Sequence, residues 1–88
     1  AMQEVAQELG LKKDVAESLI CQTAIGASKL IQESNDSSLV LRKKVTSPGG
    51  TPERAISVFE NGNIRGLVRD ALIAARDRSI ELSEDFSN

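Results

Sequence analysis

Lys13-Asp14-Val15-Ala16-Glu17-Ser18-Leu19-Ile20-Cys21-Gln22-Thr23-Ala24-Ile25-Gly26-Ala27-Ser28-Lys29-Leu30-Ile31-Gln32-Glu33-Ser34 is the stretch that decides the fold class. Stepped around a helix at about 100° per residue, Val15, Ala16, Leu19, Ile20, Thr23, Gly26, Ala27, Leu30 and Ile31 cover about half the circumference. That stripe is wider than the single apolar face of a surface helix. Its middle, Thr23 to Ser28, is rich in small residues. A mid-helix Gly26 costs about 1 kcal/mol relative to Ala, so close approach by another backbone is expected there; a tolerated glycine with no special role is the alternative.

Working outward, the same pattern recurs on both sides. Met2, Val5, Ala6 and Leu9 follow the i, i+3, i+4, i+7 spacing of a helix that Gly10 ends. No capping residue precedes Ala1, so the start reads either as a cut through a longer helix or as a tag remnant at Ala1-Met2. After the long helix, Asn35-Asp36-Ser37-Ser38 signals a turn and a helix start. A short helix is expected from about Ser38 to Val45, with Arg42, Lys43 and Lys44 at its end, where cations complement the macrodipole. Pro48-Gly49-Gly50 then forbids regular structure. Thr51 is expected to cap a helix that has Pro52 at its first position and that Gly62 ends after about Asn61.

The last helix is predicted from about Ile64 to Glu84. Ile64, Leu67, Val68, Ala71, Leu72, Ala75 and Leu82 share one stripe, while Ile73 and Ile80 project at about 180° and 160° from Ile64. Apolar residues on both sides predict that both faces are covered, most simply by a second subunit. Arg78, beside the stripe, is expected to snorkel at an edge or pair with a carboxylate. The tail from Ser83 to Asn88 is expected to fray. No internal repeat or domain boundary is evident, so residues 1–88 read as one all-α domain of about five helices.

Composition narrows the function classes. The 88 residues hold Phe59 and Phe86 but no Trp or Tyr, so a core must be built from Leu, Ile, Val and Ala. A domain this small buries only roughly 60–65% of its unfolded surface, and oligomerisation helps to stabilise it. The net charge of −2, with Lys and Arg scattered, argues against a nucleic-acid partner. No apolar run approaches the length of about 20 residues that spans a membrane. The single Cys21 fits a reducing, cytoplasmic setting. The absence of His leaves little basis for a metal site or a His-based triad.

Ser47-Pro48-Gly49-Gly50-Thr51 is the one segment whose chemistry exceeds structural need. Two glycines let backbone N–H groups approach a ligand. A helix N-terminus follows at once, with free donors and partial positive charge. Together they form a candidate cradle for a carboxylate or phosphate, although a plain connecting loop has the same parts. The segment is neither a Walker loop nor a dinucleotide fingerprint.

Val45-Thr46-Ser47-Pro48-Gly49-Gly50-Thr51 resembles the signature of the pyrroline-5-carboxylate reductase family. The likeness extends in order and spacing through Leu9-Gly10-Leu11, Gln22 to Ala27, Leu41 to Lys44, Phe59 to Gly62, Ala71 to Arg76, Arg78-Ser79 and Glu81-Leu82. It implies the C-terminal dimerisation domain of a two-domain cytoplasmic enzyme that makes proline by reducing the C=N bond of 1-pyrroline-5-carboxylate. NADPH or NADH would be held by an N-terminal Rossmann domain that is not in this sequence; no cofactor glycines lie here. The helical domain would form a homodimer or higher oligomer by intertwining its helices. Ser47, Gly49, Gly50 and Thr51 would help to bind the substrate carboxylate.

One position departs from the family pattern. A second hydroxyl residue commonly follows Thr51, placed to hydrogen-bond the substrate ring nitrogen, and here that position is Pro52. Proline donates from neither side chain nor backbone. The loss of one such bond costs about 1–3 kcal/mol. Two readings therefore stand: a reductase domain, with the fragment alone inactive, and a non-catalytic or altered-substrate relative that keeps only the oligomerisation scaffold.

Overall fold

The computed structural model describes the backbone of residues 1–87. It is all-α among those residues: α1 (Met2–Glu8), α2 (Lys13–Glu33), α3 (Ser38–Val45), α4 (Thr51–Asn61) and α5 (Ile64–Ser87). Five helices at these positions agree with the sequence periodicity. The helix ends agree less well, because they depend on which of several permissive residues takes the turn.

Gly10 does end α1. It adopts φ +108°, its N–H donates to the Gln7 carbonyl at 3.0 Å, and the Leu11 N–H donates to the Ala6 carbonyl at 3.1 Å. This pair of bonds is a Schellman ending. Gly62 also ends α4, as its C-cap after Asn61, but without a left-handed conformation of its own. It sits at φ −83°, ψ 5°, and Asn63 takes the left-handed conformation at φ +61°. Asparagine is one of the few non-glycine residues that enters this region routinely. The tail also differs from expectation. α5 runs on through Ser83 to Ser87 rather than fraying after Glu84; Asn88 lies outside the described residues.

The structure divides into two compact units, Ala1–Val45 and the residues from Thr46 onward. The sequence carries no composition shift at that point. The division falls where Pro48-Gly49-Gly50 interrupts helix, and within each unit a helix packs on its sequence neighbour.

In the first unit α1 packs on α2 around Ala16, the one fully buried residue among those described. The Gln3 side-chain amide spans the two helices to the Glu17 carboxylate at 3.3 Å. The start of α3 is capped by Ser37, whose Oγ accepts from the Val40 N–H at 3.3 Å. At its end, the Lys44 ammonium pairs with Asp36. The basic cluster thus has a structural partner as well as the helix dipole.

In the second unit α4 packs on α5, with Ile56, Ile64 and Ile73 half-buried. The turn between them is clamped by Arg65, whose guanidinium grips the Glu60 carboxylate through Nε at 3.2 Å and Nη2 at 3.0 Å. That hydrogen bond, and then the charge of Glu60, holds the guanidinium above its ordinary pKa. Arg78 takes the second of its two expected roles and pairs with Glu81 at 3.0 Å.

The predicted aliphatic core is almost missing from the single chain. Leu30, Ile31, Leu67, Val68 and Leu72 are each at least half exposed. An apolar groove of about 260 Å³ runs between the end of α2 and α3, lined by Leu30, Ile31, Leu41 and Val45. Gly26 likewise meets no close backbone. A Cβ placed there would find nothing within 4 Å. Helices paired only with their neighbours hide one strip each, and these helices are apolar over more than one strip.

Candidate functional site

The candidate site is the connection from Thr46 to the first turn of α4. Ser47 to Gly50 close a β-turn, with the Gly50 N–H donating to the Ser47 carbonyl at 3.0 Å. Pro48 at the second position pre-sets its φ, and Gly49 at the third takes φ +74°, the pattern a type II turn requires. Gly50 is restricted for a different reason. A Cβ on it would sit 3.1 Å from the Ser47 carbonyl oxygen, tighter than ordinary contact. Gly49 is therefore favoured by its backbone conformation, and a side chain at Gly50 would need the Ser47 carbonyl to shift by a few tenths of an ångström.

Gly50, not Thr51, is the N-cap of α4, and its side chain can supply no capping bond. Thr51 is the first helical residue and Pro52 the second, so the helix starts one residue earlier than expected from sequence. A side chain from inside the helix instead reaches the loop. Glu53 reaches back, and its Oε1 accepts from the Gly49 N–H at 3.2 Å. The bond falls one residue outside the N-cap, so it differs from a capping box, whose glutamate takes the N-cap amide itself. Its negative charge also suits the positive end of the helix.

The four predicted site residues thus lie together on one turn and the helix start that follows it. Ser47, Gly49 and Thr51 are exposed and Gly50 is half-buried. Among the described residues no hydrogen bond engages the Ser47 or Thr51 hydroxyl. The first N–H groups of a helix have no intrahelical partner, so Thr51 and Glu53 each present an amide donor, and Pro52 between them presents none. Chemically, the loop offers donors for an anion. Sequence reading missed Glu53. Its signal was available as a Glu three residues after the N-cap position.

The family model described as pyrroline-5-carboxylate reductase dimerisation matches residues 1–82. The chain belongs to that family. Among curated relatives, a pyrroline-5-carboxylate reductase of Pseudomonas aeruginosa is 43% identical over 98% of this chain and 32% of its own length. The pyrroline-5-carboxylate reductase 2 of Bacillus subtilis is 34% identical over 99% of this chain and 31% of its own. A solved structure of a pyrroline-5-carboxylate reductase from Coxiella burnetii matches with a TM-score of 0.85 and 51% identity, over 92% of this chain and 30% of that one. The chain therefore spans about a third of the length of the relatives it matches.

Reductases of this family imply a nicotinamide cofactor for the whole protein. The residues present do not fit one. A dinucleotide site needs a strand, a glycine-rich turn and a helix in succession. The described residues include no strand, and the Gly49-Gly50 turn follows a helix and already commits the Gly50 N–H to Ser47.

Proposed function

We propose that residues 1–88 act as one domain, the dimerisation and substrate-carboxylate-binding part of a reductase that converts 1-pyrroline-5-carboxylate to proline with NADPH or NADH. The observation that carries this reading is the family match over residues 1–82, which includes the whole Ser47–Thr51 segment. Exposed apolar faces on α2 and α5 support self-association. Further copies of the chain, in a homodimer or a higher homo-oligomer, supply the missing cover. The donors on the Ser47–Thr51 turn bind and orient the substrate carboxylate, while the rest of the protein holds the nicotinamide. Among the described residues no helix is long and apolar enough to cross a membrane, and a cytoplasmic setting suits the exposed Cys21 thiol.

Full-length protein given the pyrroline carboxylate and NADPH or NADH should consume the reduced nucleotide and form proline. Absence of turnover at saturating substrate would leave the second reading, a relative that keeps only the scaffold. Pro52 is the observation that favours that second reading, because it removes both a hydroxyl and an amide donor from the loop.

A further inference from the structure

We propose that Glu53 is an internal competitor for the substrate carboxylate, its own carboxylate occupying the Gly49 amide, one of the few donors the turn offers. The inference rests on the reading of the Ser47–Thr51 turn as the substrate-carboxylate site. Three features of the loop point to competition rather than support. The Ser47–Gly50 turn is already closed by its own hydrogen bond at 3.0 Å and by Pro48 and a left-handed Gly49, so Glu53 is not needed to shape it. Donors are scarce, since the Gly50 N–H is committed to Ser47 and Pro52 has none. Gly49 is thus one of the few amides left for an incoming anion, and Glu53 holds it at 3.2 Å.

Glu53 is also easily displaced. It is exposed, its contact to the loop is a single hydrogen bond, and water can satisfy its carboxylate when it swings out. Two carboxylates cannot share one N–H, and like charges at that separation repel. Substrate binding therefore includes the cost of moving Glu53 aside. The same contact read as a plain helix cap makes the opposite prediction, since loss of a cap loosens the loop and weakens binding.

The test uses the full-length protein and its Glu53→Ala and Glu53→Gln variants. Competition predicts that Glu53→Ala lowers KM for the pyrroline carboxylate roughly threefold to tenfold, the worth of one such bond, with kcat changed less than about twofold. Glu53→Gln, which keeps the shape and removes the charge, should lower KM as well. A KM that is unchanged or raised in Glu53→Ala, with Glu53→Gln restoring the wild-type value, overturns the proposal in favour of a cap. A second measurement separates this from the function itself. In protein carrying 15N-glycine, the Gly49 amide resonance should shift on titration with acetate at a lower midpoint in Glu53→Gln than in wild type. Equal midpoints overturn the proposal even if the enzyme turns over. A lower midpoint in a protein without turnover sustains the competition and removes only the assignment of its substrate.

Discussion

Replacing Leu72 by Lys tests the exposed faces of α5 most directly. Leu72 is 66% exposed in the single chain. Burying a leucine side chain fully is worth about 1.5–3 kcal/mol, so about 1–2 kcal/mol remains unrealised at this position. In a two-fold symmetric pair each change occurs twice. Loss of both contacts should weaken the dimer by about 2–4 kcal/mol, or roughly 30-fold to 1,000-fold in dissociation constant. The cost of placing a charge in the contact adds to this. Lysine is a good helix former, and a side chain this exposed is not holding its own chain together, so the monomer should keep its helicity. Sedimentation of the full-length variant over a dilution series, with circular dichroism in parallel, reads both quantities. Ile80, 49% exposed and about 80° around the helix from Leu72, outside the main apolar stripe, gives the companion variant Ile80→Lys. An unchanged dissociation constant in both variants, with helicity intact, would refute the inference that a second copy covers the two faces of α5.

Pro52→Thr returns a side-chain hydroxyl and a backbone N–H to the second residue of α4. If the missing donor limits the reaction, kcat/KM should rise roughly 5-fold to 150-fold, corresponding to about 1–3 kcal/mol; reduced-nucleotide oxidation measures it, and an unchanged value shows that no such donor is limiting. Gly49→Ala places a Cβ in open space but at φ +74°. It should therefore strain the turn by about 1–2 kcal/mol and raise KM without a steric clash; an unaltered KM would separate the turn from substrate binding. Gly26→Ala removes a helix penalty of about 1 kcal/mol with nothing in its own chain to obstruct the new methyl group. Helix stability should rise while self-association weakens if a partner backbone approaches there, and equal or tighter association by sedimentation would rule that approach out.

The candidate site was only partly legible beforehand. That Ser47, Gly49, Gly50 and Thr51 fall on one turn before a helix follows from Pro-Gly-Gly and the apolar periodicity of Ala55, Ile56 and Phe59, which are local signals. The identity of the cap was not legible. Thr51 is an ordinary capping residue, but the turn closes from Ser47 to Gly50, which moves the helix start one residue earlier and leaves the cap to a glycine. The stop at Gly62 was legible, but the residue that takes the left-handed conformation was not. Gly62 and Asn63 both tolerate a left-handed conformation, and composition does not say which one the chain uses.

The sequence by itself determined that this protein is helical, where each helix lies, and which residues on each helix avoid water. It did so because helix periodicity and chain-breaking residues act within a few positions of one another. The tertiary structure decided what those residues meet. Ala16 finds cover and Leu72 does not. The Gly49 amide is held by Glu53 instead of standing open, and Gly26 has empty space where another backbone was expected. A stripe of apolar side chains states a demand for burial. Which surface meets that demand depends on groups distant in sequence, or on a second copy of the chain.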